Sequence, residues 1–210
     1  MFEEESFALS PINFFQLHVE CHYTDKGALE KKHFLPNTSK LCGEEYFAKV
    51  ALGWNEQGIY SQIEVSQPFH QVSYPDVIRG DSLEIMLDTR DVKTSGNNTR
   101  FCHHFFFLPE AVDGIQTGEL TRFRTEDKHE LCDAADLSIK SQISLKNYTM
   151  KIFIPSHCLV GYDPEQFDRL GFTYRINRSR NQPQHFSVAS RDYQIEQQPS
   201  LWSSLKLVKP

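Results

Sequence analysis

The clearest pattern in the chain is the alternation over 81–88, DSLEIMLD, where Leu83, Ile85 and Leu87 are apolar and Ser82, Glu84, Met86 and Asp88 fall between them. Period-two alternation predicts a β-strand with one face in a core. Here the opposite face carries two carboxylates and a thioether. The same reading predicts a strand at 14–23 and a hairpin of 46–54 with 58–65 around Asn55-Glu56-Gln57-Gly58, where glycine takes a positive φ cheaply. Proline and glycine make 66–80 a loop. The segment 100–108, RFCHHFFFL, reads as an aromatic strand that stops at Pro109. Further strands are expected at 119–125, 138–145, 148–154, 171–177, 186–190 and 205–208, with a short helix within 159–170 started by Asp163 and Pro164. Residues 1–10 read as a flexible N-terminal tail and 11–210 as one domain.

Many short strands and almost no amphipathic helix predict an all-β fold. The expected form is an antiparallel two-sheet β-sandwich, jelly-roll or immunoglobulin-like, with one or two short helices. The 210 residues suffice for one large β domain, and 16 Phe with 8 Tyr against 3 Met predict an aromatic core. A net charge of −6 argues against nucleic acid and acidic membrane surfaces as partners. No apolar run approaches the roughly 20 residues of a membrane-spanning helix, and the opening MFEEESFALSP lacks a basic-then-apolar leader. Five cysteines, at 21, 42, 102, 132 and 158, form no CxxC pair. An odd, scattered set points to reduced thiols in a cytoplasmic protein.

Catalytic patterns are missing: there is no GxSxG, no HExxH and no glycine-rich phosphate loop. Glu84 and Asp88, four residues apart on one strand, would stand about 13 Å apart, beyond the reach of a glycosidase pair. The chain is therefore expected not to be an enzyme.

Six blocks, in order, resemble the family 9 carbohydrate-binding modules and the broader DOMON-like set of similar sandwiches: WNEQGIY (54–60), DSLEIMLD (81–88), RFRT (122–125), YTMKIFIP (148–155), LGFTYRIN (170–177) and LKLVK (205–209). The resemblance covers about residues 45–210 and implies a sandwich with a ligand cleft on the outer face of one sheet. It implies a ligand-contacting role for Glu84. Sugar-binding members clamp their ligand between two tryptophans; this chain has Ile78 at the first position, and near the second only Trp202, displaced along the sequence. By the family register the cleft face holds Glu84, Met86, His103 and Phe105, and His104 turns with Cys102 and Phe106 toward the core. Arg122 and Arg124, one face of a strand, complete the expected ligand-binding set.

Other chemistry is open to these residues. Cys102, His104, His129 and Cys132 carry ligand types for zinc; Asp88, Asp91 and Asp113 carry oxygens for calcium without a DxDxDG loop; Met86 with His103 offers a haem axial pair. Arg90, Arg100, Arg122 and Arg124 offer an anion site. For each set the simpler reading is structural, so no cofactor is expected. The functional expectation is a non-catalytic binder of carbohydrate or a related small polar ligand. Its alternative is a structural or protein-interaction sandwich that has lost the sugar site.

Overall fold

The computed structural model describes residues 17–179 and 181–209. The expected tail at 1–10 and the first residues of the strand expected at 14–23 lie outside these. The strands are β1 (His18–Tyr23), β2 (Ala48–Asn55), β3 (Gly58–Val65), β4 (Ser82–Asp88), β5 (Cys102–Val112), β6 (Ile115–Glu119), β7 (Ser138–Ile143), β8 (Tyr148–Pro155), β9 (Arg169–Asn177), β10 (Gln184–His185) and β11 (Ser203–Val208). One short helix, α1 (Ser39–Cys42), and several single 3₁₀ turns complete the described secondary structure.

The protein is all-β, as expected, but its strands form one hydrogen-bonded path, β6-β5-β4-β9-β11-β1-β2-β3-β8-β7, with β10 paired to β9. The path curls until its ends meet: Gln116 on β6 donates to the Ser141 hydroxyl on β7. Nor is the pairing antiparallel throughout, because β1 runs parallel to both β11 and β2. β11 and β2 therefore run in the same direction, and β1 between them follows it; no sequence period reports strand direction.

β4 is central, paired antiparallel with β5 on one side and β9 on the other. Leu83, Ile85 and Leu87 enter the main core, together with Phe105, Phe107, Phe172, Tyr174, Trp54 and Ile63. Trp54 is fully buried and its indole N–H donates to the Cys21 carbonyl at 2.8 Å, as a buried indole requires. The β2–β3 hairpin keeps full register from Ala48 with Val65 to Asn55 with Gly58. Gly58, at φ +146°, closes it, and a Cβ there would stand 2.2 Å from the Ile154 carbonyl oxygen.

Several sequence expectations need correction. β5 runs through Pro109; beyond Phe107 it has left β4, and its pairing to β6 is irregular between Phe107 and Val112, so the missing proline N–H breaks no ladder bond. The strand expected at 119–125 lies earlier, as β6, and 120–133 is irregular. The helix expected within 159–170 is a turn in which the Asp163 carboxylate accepts from the Glu165 and Gln166 amides. The strand expected at 186–190 is not formed; those residues are irregular, and the short β10 precedes them. Cys132 and Cys158 are joined in a disulfide, with Cα atoms 5.1 Å apart, so the expectation of five reduced thiols is wrong; Cys21, Cys42 and Cys102 are free and buried.

Candidate functional site

The register of β4 with β5 decides which residues share a face. Leu87 pairs with His103 and Ile85 with Phe105; Met86 pairs with His104, Glu84 with Phe106 and Asp88 with Cys102. Directly opposed residues of an antiparallel pair project to the same side. His103 and Phe105 therefore lie on the core side, and His104, Cys102 and Phe106 share the outer side with Glu84 and Met86. This inverts the expected assignment. A one-residue phase error exchanges the two faces of a strand, and the run HHFFF holds no alternation that could fix the phase.

The outer face is not bare. The segment leading to β11 crosses it, and Met86 and Cys102 pack there with Val188, Ile195 and Trp202 in a second apolar cluster. The Trp202 indole donates to the Ile195 carbonyl at 2.7 Å. Trp202 and Met86 are thus structural, and Met86 and His103, on opposite faces, make no haem pair.

Beside this cluster Glu84 is 1 % exposed and fully partnered. Its Oε1 accepts from His104 Nε2 (2.9 Å) and Arg175 Nη2 (2.8 Å), and its Oε2 from Arg175 Nε (2.5 Å) and Asn177 Nδ2 (2.7 Å). Burial alone would raise the carboxyl pKa, but the His104 and Arg175 hydrogen bonds outweigh it and hold the group well below the usual carboxylate range. Four donors occupy the acceptor positions of two oxygens. Glu84 therefore has little capacity left for a ligand and acts by orienting Arg175. That guanidinium spends two of its five N–H groups on Glu84, and its side chain keeps 12 % of its surface exposed. On the other side of Glu84, Phe106 on β5 carries the ring of Tyr74 at 5.8 Å, and Tyr74 and Ile78 are 37 % and 52 % exposed.

The core side of β5 holds a second charged cluster. Glu119 Oε1 meets His103 Nδ1 (3.0 Å), His129 Nε2 (2.9 Å) and the Thr121 hydroxyl (2.6 Å), and Oε2 accepts the Cys132 amide at 2.7 Å. Burial raises the Glu119 pKa, but the two histidines reverse that and bring it to about 2. Burial lowers the pKa of His103 despite the Glu119 contact. The three ligand-type atoms lie within 4.8 Å of one another, yet their hydrogen bonds do not suit a metal. His103 Nε2 accepts the Val160 amide at 3.0 Å, so the ring proton sits on Nδ1, where an ion would bind. His129 Nδ1 faces the Arg100 carbonyl at 2.7 Å, so both of its nitrogens meet acceptors.

The other predicted sets disperse. Arg124 spends its guanidinium on Gln197 Oε1, from Nε (3.0 Å) and Nη2 (2.8 Å), rather than on Glu84, while Arg122 is used here through its carbonyl, which accepts from Asn98. Arg90 stacks between Phe101 and Phe167 and Arg100 pairs with Asp127, so no shared anion site forms. The proposed zinc set is split, with Cys102 and His104 outside, His129 inside and Cys132 in the disulfide. Asp88 caps the Arg90 and Val92 amides, Asp91 pairs with Lys93, and Asp113 sits in the β5–β6 turn, so the three do not converge for calcium. Of the expected site residues, Glu84 alone belongs to the outer polar cluster; sequence reasoning missed Arg175 and Asn177, which alternation on β9 could have placed beside it.

Several concavities lie away from Glu84 and Arg175 among the described residues, one of about 300 Å³ bordered by Tyr46, Lys49, Glu64 and Thr149. One of about 290 Å³ lies between Gly27–Leu29 and the outer face of β3, β8 and β7, with Tyr60 and Phe153 stacked at 4.5 Å and Gln62, Lys140 and Lys151 beside them. One of about 490 Å³ is bordered by Glu44, His185 and Arg191.

A curled all-β sheet that holds a fixed, partly exposed guanidinium on its outer face has features a binding domain can use. The chain belongs to the family described as Carbohydrate family 9 binding domain-like, whose profile matches residues 22–209. Among solved structures it is similar to a family 9 carbohydrate-binding module from Caldicellulosiruptor kristjanssonii. The cellotriose complex of that module aligns with TM-score 0.63 and 16 % identity, over 92 % of this chain and 95 % of that one. Its glucose complex aligns with TM-score 0.65 and 15 % identity, over 92 % and 97 %. No curated protein matches the sequence significantly.

Proposed function

We propose that this domain binds carbohydrate without catalysis, on the outer face of β4, β5 and β9, with Arg175 as its principal hydrogen-bond donor and Tyr74 as its aromatic surface. The carrying observation is the Glu84–Arg175 pair: a buried carboxylate fixes a partly exposed guanidinium in one plane, ready for hydroxyl oxygens. Holding a donor in place before binding saves the ordering cost of association. His104 and Asn177 are locked by the same carboxylate and support that geometry. Family membership supports the ligand class, and the cellotriose and glucose complexes of the similar module suggest glucose-type sugars as first probes. The fold family also supports reading the two halves of the curled sheet as the two layers of a sandwich, with β1 at the seam.

Titration calorimetry with cello-oligosaccharides and glucose tests this. Wild type should bind, and Arg175→Met should lose at least about tenfold in affinity, since hydrogen bonds to charged groups contribute roughly 1.5–3 kcal/mol. Binding that survives Arg175→Met but fails in Tyr60→Ala would move the site to the β3–β8 cleft. No binding by folded wild type to any glycan of an array would favour the interaction-domain alternative.

A further inference from the structure

The disulfide lies in a larger set of metal-ligating groups on the surface, apart from the carbohydrate face. Cys132 lies two residues before the 3₁₀ turn Ala134–Asp136, which Asp136 ends, and Cys158 ends another, Ser156–Cys158. The two Sγ atoms and an Asp136 carboxylate oxygen all lie within 4.8 Å of one another. His157 stands outside that group of three but brings a fourth ligand type on an exposed side chain, with Nε2 3.4 Å from Asp136 Oδ2. The chemistry is that of zinc: two sulfurs, an imidazole and a carboxylate, where tetrahedral coordination needs ligand atoms about 3.4–3.8 Å apart. The set is open to solvent. Cys158 is buried and Cys132 half-buried, whereas the Asp136 and His157 side chains are 48 % and 64 % exposed. An ion and a reductant both have access from the outer side. The three remaining cysteines are buried elsewhere and offer no competing cluster.

We propose that Cys132, Asp136, His157 and Cys158 form a redox-gated zinc site, closed as a disulfide and metal-binding when reduced. A dithiol reductant supplies two electrons and two protons: the Cys132–Cys158 S–S bond breaks to two thiols, and the reductant closes to its own disulfide. Zinc then binds both sulfurs and displaces their two protons to solvent. Asp136 and neutral His157 complete the shell. The two states exclude each other, because each sulfur bonds either the other sulfur or the ion. Oxidation by the disulfide form of the same reductant class expels the metal.

The experiment uses the full chain, oxidised or reduced with a water-soluble phosphine, and Zn²⁺ or Co²⁺ as the probe. Reduced wild type should retain one zinc per chain through gel filtration and show a thiolate-to-cobalt charge-transfer band with Co²⁺; oxidised protein should show neither. Cys132→Ser and Cys158→Ser should each abolish the band. Asp136→Asn and His157→Gln, at exposed positions that leave the fold undisturbed, should weaken zinc binding at least about tenfold by removing a ligand. The proposal is overturned if reduced, natively folded wild type binds no cobalt, if the band persists in either serine variant, or if both exposed variants bind zinc as wild type does. Loss of the native circular dichroism spectrum on reduction, unrestored by zinc, overturns it as well.

Discussion

Glu84→Gln probes the buried polar cluster with almost no change in volume. The amide replaces one acceptor oxygen by an N–H₂ group. Whichever way it turns, two of the four donors now face a donor: either Arg175 Nε and Asn177, or Arg175 Nη2 and His104. Arg175 also loses its counter-charge. Removing one member of a buried ion pair costs about 3–5 kcal/mol. The 12 % exposure of the Arg175 side chain allows some rehydration and sets the expectation at the lower end, about 3 kcal/mol. For a domain of this size that lowers Tm by about 6–12 °C. Urea denaturation should give a lower midpoint at unchanged slope. The substitution also reports on pH. The folded pKa of Glu84 lies below its ordinary 4.5, so the folded state holds fewer protons than the unfolded chain in the acid range. This stabilisation is fully present above pH 4.5 and is lost as pH falls from there toward the folded value. Glu84→Gln should flatten the stability curve below pH 4.5, with a residual slope from Glu119. A variant within about 0.5 kcal/mol of wild type, with the acid slope intact, would refute the ion-paired cluster.

Three further outcomes are expected. Gly58→Ala should destabilise by more than about 2 kcal/mol, because a Cβ there stands 2.2 Å from the Ile154 carbonyl oxygen and φ is +146°; a melting temperature equal to wild type would show that the turn relaxes freely. His103→Phe should remove stability loss on mild acidification: the folded pKa of His103 is depressed below 6.5, so wild type begins to lose stability as pH falls below that value. Denaturation curves at pH 7 and pH 5.5 should converge in the variant, and an undiminished difference would exclude His103 as the cause. Ile78→Trp, at a position 52 % exposed beside Tyr74, should tighten oligosaccharide binding by about 1 kcal/mol, roughly fivefold, by adding a stacking face; calorimetry showing no gain would place the sugar away from that position.

The alternation of β4 was sufficient to place Leu83, Ile85 and Leu87 in the core, because a period-two pattern depends only on neighbours. The burial of its other face was not legible. Glu84 and Met86 are covered by residues such as Arg175 and Trp202, about a hundred positions downstream, and polar residues alternating on a strand look the same under solvent or under a folded-back segment. His103 and His104 failed for a different reason: among HHFFF every position tolerates burial, so only the register with Leu87 and Met86 fixes their sides. The Cys132–Cys158 pairing, 26 residues apart and without a spacing motif, depends on two turns that meet only in the folded chain. The family resemblance pointed to Glu84, whose acceptor positions are filled by His104, Arg175 and Asn177, and it put His103 and Phe105 on the wrong face, since a motif carries residue types but not the phase of the partner strand.

β5 separates two histidine–carboxylate clusters set back to back, His103 with Glu119 and His104 with Glu84. Their difference is what favours the outer side as the proposed ligand face. On the core side every polar atom of the carboxylate is met by groups that are themselves tied down: Thr121, the Cys132 amide, and two histidines anchored on Val160 and Arg100. A ligand could enter only by breaking several buried hydrogen bonds, each expensive to leave unmade. On the outer side the carboxylate is equally saturated, but one partner is an arginine with three N–H groups beyond those Glu84 uses and a solvent-facing edge. The same strand thus carries a closed structural cluster on one face and, on the other, a fixed donor that meets solvent without rearrangement.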